Sequence, residues 1–238
     1  KRTLSFAYPS VNNAGKQTVT FSEFDSKEAI QEAGITIPKQ AVAATKEELK
    51  ALLEKEFSYP IVLKVSSADI LHKTDAGGVK LSIQSEEEAL KAFDDILASC
   101  KAYMPEAVID GVLVQEMAPK GTEIIIGISS DALFGPMVLV GLGGVFVEIF
   151  KDVALYPAPM NKDEALSMLK KLKAYKLLTG YRGSKPADID ALVDTIVKVS
   201  DYAAKNKDTL KELDLNPVFV YEEGKGLNVV DALLIQYQ

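Results

Sequence analysis

The chain has a single histidine, His72, in the run Ser66-Ser67-Ala68-Asp69-Ile70-Leu71-His72-Lys73-Thr74-Asp75-Ala76-Gly77-Gly78-Val79-Lys80. Neutral imidazole is well populated near pH 7 and is a good nucleophile. A histidine in such a loop can therefore take a phosphoryl group and pass it on as a reactive phosphoramidate. Lys64, Lys73 and Lys80 bring positive charge close in sequence, and Asp69 or Asp75 could orient the ring. Gly77-Gly78 let backbone N–H groups approach a phosphate closely. A lone loop histidine is more often a plain polar residue, and the local pattern does not separate the two readings.

Lys64 lies inside an apolar run, Ile61-Val62-Leu63-Lys64-Val65-Ser66. Strand alternation puts it on a face with Val62 and Ser66. A lysine so placed needs an anion or a route to water, and a bound phosphate would serve. A side chain that snorkels to solvent is the commoner outcome.

Near the C-terminus two apolar runs, 213–221 and 227–234, flank Glu222-Glu223-Gly224-Lys225-Gly226 and read as a hairpin. A turn centred between Glu223 and Gly224 sets Asn216 opposite Asp231, and Asp214, two residues earlier, shares the face of Asn216. Two carboxylates and an amide oxygen form an oxygen-only set that suits Mg²⁺, which keeps several waters and takes few protein ligands. An acidic face that merely keeps an edge strand soluble is an equal account on spacing alone.

The elements that would position these residues form a mixed α/β chain. Ser22 with Asp25 resembles a capping pair and Gly34 then Pro38 stop the helix, giving a helix near 23–33. Thr45 with Glu48 opens a second helix, and Ser85 with Glu88 a third. Strands fall at 61–66, 79–84, 112–118, 123–129 and 137–141, and further helices at 161–171 and 188–204. The expected organisation is a linker over 1–21 and two lobes, 22–111 and 112–238, split near Gly111. A chain that opens on Lys1 reads as a fragment or a processed product.

Composition narrows the classes. A hydrophobic content of 47% with 26% charged residues is that of a soluble globular protein. The formal charge of −7 disfavours nucleic acid, whose phosphates need a basic field. One cysteine, Cys100, excludes an internal disulfide and suits a reducing, cytoplasmic compartment. The apolar stretch Phe134 to Phe150 is broken by Gly135, Pro136, Gly141, Gly143, Gly144 and Glu148 and is too short to span a membrane. No Walker loop or nucleophile-elbow serine occurs. Gly141-Leu142-Gly143-Gly144-Val145-Phe146 has Phe146 where a dinucleotide fingerprint needs its last glycine, so it reads as a turn between strands.

Three segments together resemble the nucleotide-binding half of ADP-forming acyl-CoA synthetases, typified by acetate–CoA ligase: Tyr59–Ile83 (YPIVLKVSSADILHKTDAGGVKLSI), Gly111–Asp152 (GVLVQEMAPKGTEIIIGISSDALFGPMVLVGLGGVFVEIFKD) and Glu212–Asp231 (ELDLNPVFVYEEGKGLNVVD). The resemblance extends over about Ser22 to Leu234 and, more distantly, to the succinyl-CoA synthetase β subunit. It implies the ATP-grasp fold, an α/β architecture of two α+β lobes with ATP or ADP between them. It also implies that Lys64 serves the phosphates, that the backbone around Glu116 and Met117 faces adenine and that Glu123 binds ribose. Asn216 and Asp231, with Asp214 beside them, match the Mg²⁺ site, and His72 the second phosphohistidine of the acetate-forming enzymes. The implied cycle links acyl-CoA, phosphate and ADP to carboxylate, CoA and ATP. A partner histidine passes its phosphoryl group to His72 and thence to ADP.

The first twenty or so residues match nothing in that family, Ala68 stands where proline is frequent, and Tyr156 where a basic residue is common. Leu178 to Pro186, with Arg182, also matches, but Arg182 takes no assigned role. No CoA-binding module is present, so the expected partner is a CoA-binding α-type subunit or a fused N-terminal domain. Three other readings compete: a non-catalytic ATP-grasp-like module of a protein acetyltransferase, a ligase that activates a carboxylate directly, and a pure interaction domain. The first predicts degraded histidine or magnesium positions, and these are intact.

Overall fold

Runs rich in β-branched residues build two separate sheets in the computed structural model, which describes residues 15–131, 133–144 and 151–238. Residues 1–14 of the expected linker, and Val145, Phe146 and Glu148 beyond the glycine run, lie outside the described residues. The chain divides into two compact units, each described by itself.

The first unit comprises Thr20–Glu28 and Pro38–Pro119. Its sheet has the order β2 (Gln40–Ala43), β5 (Gly111–Glu116), β3 (Ile61–Ser66), β4 (Val79–Ile83), all pairs antiparallel. Two helices, α2 (Lys46–Lys55) and α3 (Glu86–Tyr103), start where the caps are: Thr45 and Ser85 accept from the backbone N–H groups of Glu48 and Glu88. Glu48 and Glu88 in turn accept from the N–H groups of Ala44 and Gln84. Leu49, Leu53, Phe93, Ile96 and Cys100 of the helices pack on Ile61, Leu63, Val65, Val112 and Val114 of the sheet. Every residue of β3 is buried. Its second face, Val62, Lys64 and Ser66, is therefore inside as well, and α1 (Glu23–Glu32) brings the buried Glu23 and Lys27 to it.

The second unit comprises Ala29–Ile37 and Lys120–Gln238, with the described residues 15–19. Its sheet runs β1 (Thr18–Thr20), β11 (Ala232–Tyr237), β9 (Leu210–Val220), β6 (Thr122–Asp131), β7 (Gly135–Leu142), β8 (Val153–Pro157), and β10 (Leu227–Val229) also pairs with β9. Helix α4 (Lys162–Leu169) has a capping box between Asn161 and Glu164, and the short α5 spans Tyr175–Leu178. Helix α6 (Ile189–Lys205) buries Leu192, Val193, Ile196, Val199 and Ala203 and packs on β6, β7 and β9.

Two boundaries differ from the sequence reading. Strand β5 pairs with both β2 and β3, so the units divide after Pro119 and not at Gly111. The last expected strand is two, β10 and β11, separated by Val230-Asp231 opposite Pro217, which has no N–H to donate. Among the described residues no helix is long and apolar enough to cross a membrane.

Ile96 is fully buried between α3 and the four-stranded sheet. Ile96→Ala is expected to cost about 2–5 kcal/mol in urea unfolding. A loss below about 1 kcal/mol would show that the ring of residues around it is not a packed core.

Candidate functional site

Lys64 is where the expected phosphate contact lies, and its ammonium is held by a carboxylate of the same chain. Glu23 Oε1 is 2.6 Å from Lys64 Nζ and 2.9 Å from Lys27 Nζ. Glu23 Oε2 is 3.1 Å from Lys73 Nζ. Lys27 also donates to Gln115 Oε1 on β5. The side chains of Glu23 and Lys27 are 1% and 0% exposed, and that of Lys64 7%. Burial alone would raise the carboxyl of Glu23, but the ammoniums, Lys64 first and then Lys27 and Lys73, reverse this and hold it far below the usual carboxylate range. Glu23 and Lys27 lie one helical turn apart on α1, which aligns them. Lys64 thus does not snorkel to solvent: a carboxylate of the same chain stands beside its ammonium. The sequence carried one signal for this, a Glu and a Lys four residues apart beside the buried face of α1, but not the partner 41 residues away.

His72 sits exposed in the loop between β3 and β4, at the start of a turn in which Ala76 N–H donates to the His72 carbonyl at 3.2 Å. An exposed ring beside a chain segment anchored through Lys73 can meet a phosphoryl donor. Asp69, one of the two acids expected to orient it, is engaged elsewhere: its Oδ2 accepts from Val108 N–H at 2.8 Å.

The N–H groups of the glycine pair are engaged within the loop. Gly77 N–H donates to Thr74 and Gly78 N–H to Lys73, at 3.1 and 2.7 Å, so both donors are used inside the turn. A Cβ on Gly78 would stand 2.7 Å from Val65 Cγ1 and 3.0 Å from Cys100 Sγ. These glycines let the loop close down on β3 and α3; their geometry is that of packing. The backbone N–H groups of Glu116 and Met117 are likewise engaged, by the carbonyls of Lys39 and Pro60.

The other unit carries the acids. The register of β9 with β10 and β11 is the one read from the hairpin: Val220 pairs with Leu227 and Asp214 with Leu233, and Asn216 N–H donates to the Asp231 carbonyl at 3.1 Å. Leu213 and Leu215 point inward, which turns Glu212, Asp214 and Asn216 to the opposite face. Burial, and then the charges of Glu212 and Asp231, push the carboxyl of Asp214 up to about 6. Glu212, of the same parity as Asp214, was passed over in the sequence reading. Among the described residues no three His, Cys, Asp or Glu side chains converge as a cage. The donor set of Asp214, Asp231 and the Asn216 amide oxygen is hard and sparse, which fits Mg²⁺ with waters and phosphates completing its shell. Glu123 is exposed at the start of β6, and a Cβ on Gly143 would come within 2.8 Å of its Cβ. The glycine turn is what makes room for that side chain. Arg182 lies in an exposed turn with a φ of 51°, its guanidinium 5.4 Å from the Tyr181 ring, and Tyr156 donates to Glu164.

A family model for an ATP-grasp domain matches residues 12–235. The β subunit of acetate–CoA ligase (ADP-forming) I of Pyrococcus furiosus is 45% identical over 213 residues, covering 90% of each chain. The acetate–CoA ligase (ADP-forming) I of Archaeoglobus fulgidus is 45% identical over 202 residues, which is 85% of this chain but 29% of that longer one. Among solved structures, the dinucleotide-forming acetyl-coenzyme A synthetase 1 of Ca. Korarchaeum cryptofilum superposes with a TM-score of 0.77 at 41% identity, over 90% of this chain and 92% of that one. That structure holds coenzyme A and Mg-AMPPCP, and its phosphohistidine segment points towards the nucleotide-binding site.

Because the folded state raises Asp214 from 3.8 to about 6, it binds the proton more tightly than the unfolded chain. The protein is therefore stabilised at the acid end of that window and loses this stability as pH rises through it. In EDTA, the thermal midpoint of wild type should fall relative to that of Asp214→Asn as pH is raised from about 4 to about 6.5. Parallel curves would place the carboxylate coupling elsewhere.

Proposed function

This chain belongs to the ATP-grasp family, among the β subunits and domains of ADP-forming acetate–CoA ligases, and from that premise we propose that His72 is its phosphoryl carrier. The observation that carries the proposal is the placing of the only histidine, exposed, directly before a lysine that is anchored to the buried Glu23. In the direction of acyl-CoA formation, the unprotonated nitrogen of the His72 imidazole attacks the γ-phosphorus of ATP. The bond from that phosphorus to the β,γ-bridging oxygen breaks, and ADP leaves with the electron pair. The other ring nitrogen then gives up its proton to solvent, leaving a phosphoramidate whose ring is uncharged and whose PO₃ group is anionic.

Within the chain the roles divide by charge. Lys64 and Lys73 neutralise the oxygens of the moving phosphoryl group. Asp214, Asn216 and Asp231 hold Mg²⁺, which when bound offsets charge on the nucleotide phosphates. Glu123 takes the ribose hydroxyls, and the backbone near Glu116 and Met117 receives the adenine through groups other than the two engaged N–H donors. Gly77 and Gly78 support the loop.

The acyl and CoA chemistry belongs to a second module, either a CoA-binding α-type subunit or a domain fused to this one. The longer Archaeoglobus relative, of which this chain corresponds to 29%, supports that division. A reducing cytoplasmic setting suits the single buried thiol, Cys100.

Incubation with γ-labelled ATP and Mg²⁺ should give an acid-labile, base-stable adduct that His72→Ala abolishes. Equal labelling of the variant would remove the carrier role. Asp231→Ala should lower the Mg²⁺-dependent affinity for ADP by about tenfold or more in calorimetry; an unchanged affinity would move the metal to other residues.

A further inference from the structure

The ion cluster beneath the His72 loop is more elaborate than a packed core requires. A buried ion pair is commonly replaceable by apolar residues without loss of stability, yet here one carboxylate engages three lysines. We propose that Glu23 is a positioning residue of the phosphoryl-transfer site, a buried anion that sets the ammoniums of Lys64 and Lys73 for the group carried by His72. The inference rests on the reading of His72 as carrier and adds to it a residue that touches neither nucleotide nor imidazole.

Glu23 can act as a fixed point because it cannot swing. Lys27, one turn along α1, grips Oε1 at 2.9 Å with both side chains almost wholly buried. Lys27 is itself tied to the carboxamide of Gln115, which is 1% exposed. That contact fixes the orientation of the amide, whose Nε2 has no acceptor among the described residues. The chain of contacts therefore runs from β5 through Lys27 to Glu23. From there it branches by Oε1 to Lys64 on β3 and by Oε2 to Lys73 in the loop. Lys73 is held at its other end as well, since its carbonyl accepts from Gly78 N–H at 2.7 Å. The residue next to His72 is thus pinned at side chain and backbone.

Lysine side chains are long and lose much rotamer freedom when ordered. If a nucleotide had to order Lys64 and Lys73 itself, that cost would fall on the transition state. Glu23 orders them beforehand, so that their ammoniums are in place when charge moves from ATP to the imidazole. An ammonium has three N–H donors at fixed tetrahedral angles to one another on a freely turning bond, and a carboxylate on one of them orients the rest. The arrangement is the one by which a helix glutamate holds a strand lysine in protein kinases, where the pair must be formed for transfer to proceed.

The test compares initial rates of His72 labelling by MgATP in the full chain, over a range of nucleotide concentrations, for wild type, His72→Ala, Glu23→Gln and Lys73→Met. ADP-binding stoichiometry from calorimetry counts the folded sites in each. The rate per folded site at saturating nucleotide should fall about tenfold or more in Glu23→Gln and in Lys73→Met. The half-saturating concentration in Glu23→Gln should not rise, because the lost charge is negative and repels phosphate. A merely structural role would reduce the number of folded sites and leave the rate per site unchanged, and that result overturns the proposal. Should Glu23→Gln fail to fold, Lys73→Met, at a position with a 13% exposed side chain, decides: a wild-type rate there also overturns it. Absence of label on wild type removes the carrier reading and this inference with it. Label on wild type but not on His72→Ala, with wild-type rates in the other two variants, removes this inference alone.

Discussion

A lysine on the inner face of β3 can exist only with an anion beside it, and much of the four-stranded unit follows from meeting that condition. Burying an ammonium costs several kcal/mol, and removing one partner of such a pair costs about 3–5 kcal/mol. Lys64 is inside because β3 is covered on both faces, by α2 and α3 on one side and by the start of α1 on the other. Glu23 answers its charge, Lys27 locks Glu23, and Lys73 draws the loop of His72 to the same point. The helix, the central strand and the loop thereby share one electrostatic junction.

In the seven-stranded unit the problem has the opposite sign. Burial, and then the neighbouring charges of Glu212 and Asp231, push the carboxyl of Asp214 up to about 6. Ionising Asp214 there costs stability as pH rises towards neutrality. Phosphoryl transfer needs both devices: donors that neutralise the oxygens of the moving group, and a metal that neutralises the nucleotide. The chain separates them, cations around Glu23 in one unit and carboxylates on β9 and its neighbours in the other.

Local chemistry was legible in the sequence wherever its determinants lie within a few residues. Thr45 with Glu48 and Ser85 with Glu88 marked their helix starts, and Ile61–Ser66 is the strand that its apolar run indicated. The register that sets Asn216 against Asp231 followed from one turn, because pairing in a hairpin propagates from its loop. Long-range partners were not legible. Nothing near Lys64 points to Glu23, and nothing near Asp69 points to Val108, 39 residues away. Nothing near Gly77-Gly78 in sequence shows that a Cβ on Gly77 would meet Ser99 and one on Gly78 would meet Val65 and Cys100. Strand β5 was assigned to the wrong lobe because its partners, β2 and β3, lie earlier in the chain.

The account stands on a covalent P–N bond at one imidazole, and phosphorus NMR of the chain after reaction with MgATP and removal of nucleotide observes that bond directly. It predicts one protein-bound phosphoramidate resonance, lost on mild acid treatment and absent from the His72→Ala protein. A spectrum with no protein-bound phosphorus, or with an acyl phosphate in place of the phosphoramidate, would contradict it.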